Sequence, residues 1–474
     1  MSHDASEEQD LGRYQQGLRM ANPRSEEELA AEAAYLTGLE DASWLKRNLG
    51  FLKLSGPGYM QSAMTLGGGT AASSLFAGAF FGYQLLWVGP VAMLLGIIML
   101  SAVSHQTLST GERPFESMRR FAGTPFAWAW AIGALLSSIV WHFPQYSLSS
   151  AFLVDLASVS GLGEVSQGWM GILVLVWAIL LSVIYGKSAA MVRMYERILK
   201  YMVWGIVLSF GYVVVKTGIS DWGALFRGFV AFDASGERGQ VAAITLVISG
   251  LAAAVGVNML FLYPYSLLAR GWKREHRKLA RFDLFAGMLL PYTLATSLMI
   301  IATANTLHLD PTLGTDLRPG QAAQTLAMSL GSGFGRIIFD IGIIAMALSS
   351  ITLQMVTSGF VCTELFGWSV GSGKYRLATF LPVPGVLGAF YWSDIAIWVA
   401  VPTNILCGLF LPAAYIGFIL LQKNRDYLGD DTPSGAKGKA WLGGMIFSTI
   451  TLITFLGWYA FTKGPGYFDA IFGS

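Results

Sequence analysis

Long apolar runs recur from about residue 50 to residue 462, separated by short polar loops. Each has at least the roughly 20 residues a helix needs to cross hydrocarbon. The period-2 alternation of a membrane β-barrel does not fit this pattern. The runs predict eleven helices over 50–82 (interrupted), 85–108, 124–155, 168–186, 196–216, 240–271 (interrupted), 278–304, 333–366, 375–392, 394–422 and 440–462. The first 49 residues are polar and acidic, without the basic start and apolar core of a signal peptide, so the first span is expected to act as its own insertion signal. Within them Ser25 and Glu28 stand at capping-box spacing, which predicts a short helix over Glu26 to Leu36. The chain thus divides into an N-terminal segment, 1–49, and a membrane domain, 50–474.

Two helices are interrupted at matching places. "MTLGGGTAAS" breaks the first, and "AAAVGVNMLF" breaks the sixth, which opens a second set of five. Gly67 and Gly256 lie 189 residues apart. Paired breaks in corresponding helices point to an inverted-repeat transporter, with repeats over about 50–216 and 240–422, an added helix at 440–462 and a site at the midplane. A glycine costs a helix about 1 kcal/mol relative to alanine, so three in a row make unwinding cheap. Unwound backbone is tolerated in lipid only where it is buried in protein or lines a polar cavity. Carbonyls freed there are hard oxygen ligands for a cation or its waters. Gly78 and Gly82, in "FAGAFFG", read instead as close helix packing.

Composition agrees: 54% of residues are hydrophobic and only 13% charged, against roughly a quarter charged in soluble domains. Basic residues gather in alternate loops, at Arg113, Arg119 and Arg120, at Lys187, Arg193 and Arg197, from Arg270 to Lys278, at Lys374 and Arg376, and at Lys423, Arg425, Lys437 and Lys439. The positive-inside rule makes those loops cytoplasmic, predicting a multi-pass cell-membrane protein with its N-terminus inside and its C-terminus outside. The "RGWKREHRKLAR" run fixes topology and meets anionic lipid, and nucleic-acid binding is not indicated. Cys362 and Cys407 both fall in apolar spans and offer no thiolate metal site. No nucleophile or paired carboxylates converge on either break, which argues against an enzyme.

The residues also carry a resemblance. "GPGYMQSAMTLGGGTAASSLFAGAFFGYQLLWV" (Gly56 to Val88) resembles the first helix of the NRAMP family of divalent-metal transporters, which reads GPG, then DPGN, then AG, FGY and LLWV. "GLAAAVGVNMLFLYPYSLLARGW" is similar to its sixth helix, with its ATVMPH motif, and "IGIIAMALSSITLQMVTSGFVCTELF" to its eighth. The resemblance implies an all-α membrane protein with a LeuT-type inverted repeat of five plus five helices and an eleventh, helices 1 and 6 being unwound at the midplane.

Departures from the family pattern carry the functional expectation. The metal-binding aspartate falls on Gly67, the proline on Gly68, the next glycine on Gly69 and the asparagine on Thr70; in helix 6 the ligating alanine falls on Ala253, the methionine on Gly256 and the histidine on Asn258. Losing a carboxylate 4 Å from a dication forfeits on the order of 8 kcal/mol at an effective dielectric of 20. Losing the thioether removes the preference for softer metals. A wider, uncharged, oxygen-lined site suits magnesium, which gives up its waters reluctantly. The pattern resembles the NRAMP-related magnesium transporter branch, which implies carriage of hydrated Mg2+, and of Mn2+, without proton coupling.

The metal site is therefore expected at Gly67, Gly68, Gly69, Thr70, Ala253, Gly256 and Asn258, with backbone carbonyls from the three glycines and Ala253. His142, Gln145, Tyr146 and Asn404 are expected in the cavity wall. No carboxylate lies at the family's proton path in helix 3; His142 is read as a packing residue or relay, and Asp340 as an i,i+4 partner of Arg336. The ion is cargo, no cofactor is implied, and the chain is expected to work as a monomer in the bilayer. Open alternatives are a proton-coupled transition-metal transporter, a carrier of an organic solute such as an amino acid, and a sensor that has lost transport.

Overall fold

In hydrocarbon every backbone amide needs an internal partner, so the apolar runs fold as helices. The computed structural model describes residues 17–238, 241–309, 333–391 and 396–472. Two helices precede the bundle, α1 (Glu26–Glu40) and α2 (Trp44–Leu54), whose N-termini are capped by the hydroxyls of Ser25 and Ser43. The bundle continues with α3 (Pro57–Thr65), α4 (Gly68–Phe81), α5 (Val88–Thr110), α6 (Thr124–Val159), α7 (Gln167–Ser182) and α8 (Ala189–Thr217). Then come α9 (Ala243–Ala254), α10 (Val257–Ala269), and α11, which runs from Arg277–Leu284 through a π turn at Phe285–Leu289 into Leu290–Ala304. The bundle ends with α12 (Gly333–Phe366), α13 (Ala396–Gly408), α14 (Leu411–Lys423) and α15 (Gly435–Phe472). Among the described residues, eight of these stretches, counting joined pairs, are long and apolar enough to cross a membrane.

Both interruptions lie where the glycines predict them. The chain leaves helical geometry at Leu66–Gly67, between α3 and α4, and at Val255–Gly256, between α9 and α10. These four half-helices form the centre of the molecule. Every residue of α3 is buried, and so are nearly all of α10.

Two predicted helices are not continuous. The run 375–392 is instead a six-residue helix, Gly373–Ala378, a turn, a 3-10 stretch over Val383–Leu387 and a short helix, Gly388–Tyr391. Pro382 and Pro384 explain it: neither has an N–H to give, and each disfavours helix at the residue before it. The segment still follows the bundle from Tyr375, against Phe360 in the last turns of α12, to Phe390, against Gly168 in the first turn of α7. Glycines let it lie close to α6, since a Cβ on Gly385 would stand 2.2 Å from the His142 Cβ and one on Gly388 2.1 Å from the Phe143 carbonyl oxygen. The predicted 394–422 helix is likewise divided, α13 ending at Gly408 and α14 restarting with Pro412 in its first turn; residues 392–395 lie outside the described residues.

At the end carrying the basic loops, the chain before α2 ties several loops together. Ala21 N donates to the Val370 carbonyl at 2.8 Å, and Asn22 Nδ2 to the Lys187 carbonyl at 2.8 Å. Glu32 takes Arg24 at 2.9 Å, the Trp272 indole N–H at 3.1 Å and approaches His276 at 3.4 Å. Burial alone would push the Glu32 carboxyl up, but hydrogen bonds from His276 and Arg24 and the charge of Arg270 together pull it down to about 2.

Two outcomes follow. A carboxyl with a depressed folded value stabilises docking fully above its unfolded value of about 4.5 and loses that contribution as pH falls through about 2. Hydrogen exchange in α1, corrected for intrinsic rate, should be flat from pH 7 to 5 and accelerate below it, and E32Q should remove the step. Gly388→Ala should lower the thermal midpoint of the detergent-solubilised protein, because the added methyl meets backbone on α6, an overpacking cost of about 1–3 kcal/mol.

Candidate functional site

The two breaks face each other. Thr65 Oγ1, in the last turn of α3, lies 3.3 Å from the Ala254 carbonyl oxygen in the last turn of α9 and donates to it. The same hydroxyl lies 3.3 Å from Met259 Sδ, which also receives Gly256 N at 3.2 Å. Thr70 Oγ1 reaches back across the first break to the Thr65 carbonyl at 2.6 Å. Orphaned backbone groups at each break are therefore met by hydroxyls and a thioether.

Helix polarity decides what the glycines offer. A helix start has spare N–H groups and a helix end spare carbonyls. Gly67 caps α4, and Gly68 and Gly69 form its first turn, so the triplet presents amides. Gly68 N donates to Gln145 Oε1 at 2.8 Å. The Gly67 carbonyl already accepts from Ala71 N at 2.9 Å, and the Gly69 carbonyl from Ser73 Oγ at 2.9 Å. One turn earlier, at the end of α3, Ser349 and Ser350 of α12 donate to the Ala63 and Met64 carbonyl oxygens at 2.9 and 3.0 Å. Ala253 does lie in the last turn of α9, where carbonyls lose their helical partners.

The glycines serve close approach rather than backbone freedom. Gly67 has φ −99 and ψ −175, extended values open to any residue. A Cβ there would stand 2.7 Å from both Gln145 Nε2 and Ser350 Oγ, and one on Gly69 would stand 2.0 Å from Asn404 Oδ1. The expected roomy vestibule is filled: the space beside Gly67 and Gly69 is taken by two amides. Gln145 Nε2 continues to Ser350 Oγ at 2.7 Å, and Asn404 Nδ2 to Ser249 Oγ at 2.9 Å, with Ser73 and Ser249 2.8 Å apart. Beside Thr70 and Ser73 a cavity of about 20 Å³ remains, the room of one water. Neutral side chains thus fill the space between the two breaks.

The remaining predicted residues divide. Asn258 borders the second break, its Oδ1 accepting from Met259 N at 2.9 Å, and a Cβ on Gly256 would meet that oxygen at 2.7 Å. His142 is engaged elsewhere: its Nε2 faces the Ile351 carbonyl at 3.0 Å and its Cβ packs on Gly385. Tyr146 packs away from the breaks with Val174, Ala178 and Met355, and its hydroxyl has no partner. The Arg336–Asp340 pair does not form. Arg336 instead clasps both oxygens of Asp155 on α6, a bidentate fit its own helix cannot offer, and both Asp340 oxygens are left without a hydrogen-bond partner.

Sequence reading missed Met259, three residues past Gly256, whose sulfur sits in the break. It also missed Gln61 and Gln354. Gln61 lies one turn before Thr65 on α3 and has both amide atoms buried and unpartnered; Gln354 lies one turn past Ser350 on α12 and has its Oε1 in the same state. A buried run of Gln, Ser and Thr on an otherwise apolar helix was the available signal. Among the described residues the side chains touching the two breaks include no carboxylate; Asp283, which accepts from Gly58 N at 2.6 Å, sits more than two turns from Gly67.

The comparisons agree with the fold. A family model described as "Natural resistance-associated macrophage protein-like" matches residues 58–459. Similar curated proteins include the divalent metal cation transporter MntH of Agrobacterium fabrum, 22% identical over 88% of this chain and 90% of that protein. The MntH of Deinococcus radiodurans is 26% identical over 85% and 89%. Among solved structures, the Eremococcus coleocola manganese transporter superposes with TM-score 0.69 at 14% identity, covering 93% of this chain and 90% of that one. MhsT in complex with L-phenylalanine superposes with TM-score 0.55 at 15% identity, covering 84% and 97%. At these identities the structural matches speak to the fold alone.

Gln145→Leu should destabilise the solubilised protein by about 1–3 kcal/mol, because it strands the buried Gly68 N–H. Tyr146→Phe, which removes a hydroxyl that bonds nothing, should leave the thermal midpoint unchanged or slightly raised.

Proposed function

The chain belongs to the Nramp family and is a divalent-metal transporter of that type, and we propose that it carries Mg2+, and Mn2+ as well, by alternating access without moving protons. The observation that supports this reading is the neutral gate: two facing helix breaks whose polar groups meet amides, hydroxyls and a thioether, with no carboxylate side chain in contact among the described residues. An uncharged site cannot replace the water of a small dication, because no fixed charge offsets the desolvation. Magnesium retains several waters most readily. The buried, unpartnered amide atoms of Gln61 and Gln354 are the kind of groups that a water-clad ion would satisfy as the gate opens.

In this reading Gln145 and Asn404 are gate side chains that swing aside together with α3 and α10, exposing the carbonyls at the ends of α3 and α9, including Ala253, and admitting Thr70 and Asn258 to the ion's water shell. Gly67, Gly68, Gly69 and Gly256 hold the space into which the amides close. The end bearing the basic loops faces the cytoplasm, and a single chain suffices.

A second reading, proton-coupled transport of a softer metal, is favoured by two observations. Met259 Sδ lies in the break, and Asp340, two turns into α12, keeps both carboxyl oxygens buried without a hydrogen-bond partner. Liposomes separate the two. The neutral-gate reading requires magnesium uptake along its gradient with no change in internal pH, and requires Gly67→Asp to slow that uptake on the order of ten-fold while shifting preference toward manganese. Metal-driven acidification abolished by Asp340→Asn would instead establish the second reading. If G67D leaves uptake and preference unaltered, the site is misplaced.

A further inference from the structure

One helix has no part in the gate. α2 carries Lys46, Arg47 and Lys53 and no acidic residue. Trp44, Leu45 and Leu49 on it are 70%, 61% and 52% exposed, while Gly50 packs on Leu39 and Phe51 stands 5.6 Å from the Phe282 ring of α11. An outward Trp-Leu-Leu surface flanked by lysines is the pattern of a helix lying in the membrane interface.

Under this helix is an open cavity of about 450 Å³ between α1, α2 and α11. Its apolar wall includes Phe51, Leu279 and Phe282, and its charged rim holds Arg47, Lys278 and Arg281 with Glu40 and Glu275. Lys278 is neutralised by Glu40 at 2.7 Å, and Glu275 lies 3.7 Å from His276. Among the described residues neither Arg47 nor Arg281 has a carboxylate partner; the Arg281 guanidinium lies 5.7 Å from the centre of the Trp441 ring. Two unneutralised guanidinia over an apolar wall, next to an interfacial helix, match a monoanionic headgroup whose chains run along the exposed face of α2.

We propose that this cavity is a binding site for an anionic phospholipid, with Arg47 and Arg281 on the phosphate. The site bears on transport through covalent continuity. α2, whose last carbonyl, at Leu54, accepts from Arg270 Nη2 at 2.9 Å, leads through Ser55 and Gly56 into α3, whose start is held by Asp283 on Gly58 N. A lipid gripping α2 therefore restrains the half-helix that ends at the first break, whichever cation that break passes.

Native mass spectrometry of the full-length protein with phosphatidylglycerol and phosphatidylcholine tests the site. Phosphatidylglycerol should survive collisional activation that strips phosphatidylcholine, and R47Q/R281Q should weaken its retention by roughly five-fold for each arginine removed. Equal retention of the two lipids, or full retention by the double variant, overturns the proposal. So does millimolar inorganic phosphate displacing phosphatidylglycerol, which would mark a site for soluble anions. If the double variant does not fold, the unmodified chain decides: the fluorescence lost in Trp44→Phe should be quenched by brominated phosphatidylglycerol at a lower mole fraction than by brominated phosphatidylcholine, and equal quenching refutes the site.

Discussion

Two helices that stop in the middle of an apolar bundle must have their severed backbone groups satisfied inside the protein, and the rest of this structure follows from how that is done. The hydroxyl of Thr65 spans from one break to the other, Thr70 folds back over the first, and Gln145 takes the amide that α4 leaves open. Each of these partners is neutral. A carboxylate in the same place would satisfy the amides equally well and would also bind a bare dication, so the choice of neutral groups bears on cargo as well as on stability.

Close packing is the second half of the same solution. The amides of Gln145 and Asn404 reach the backbone only because Gly67 and Gly69 lack a Cβ. Alanine at Gly69 would meet the amide tip of Asn404, at Gly67 the Gln145 amide together with the Ser350 side chain, and at Gly388 backbone. The obstruction at Gly69 is a side-chain tip that can rotate, and the one at Gly388 is α6 backbone that cannot. This contrast between movable tips and fixed backbone is what a gate requires.

Much of this was legible in the chain. The positions of both breaks followed from glycine propensity and from their matching places in two sets of five helices. The division of 375–392 was also written in the sequence, at Pro382 and Pro384, but the apolar run masked it. The carbonyls of Gly67 and Gly69 are engaged within α4 for a reason of polarity: residues that begin a helix present N–H groups. What could not be read was the pairing of distant partners. Gln145 meets Ser350, 205 residues away, and Asn404 meets Ser249, 155 away, and no local pattern encodes either. Met259 was overlooked because alignment to a motif directs attention to Gly256, whereas the sulfur enters from the next turn of the same helix.

The neutral gate and the buried, unpartnered amide atoms of Gln61 and Gln354 favour a water-clad ion and the thioether a softer one, and cation selectivity arbitrates between them. The most direct measurement is a competition series in proteoliposomes, with magnesium, manganese, calcium and zinc offered against one another at several pH values. A neutral gate that handles water-clad ions predicts that magnesium and manganese compete at similar concentrations, that zinc gains no advantage, and that rates stay level across pH. Strong preference for zinc or manganese over magnesium, with flux rising as the outside is acidified, would contradict it.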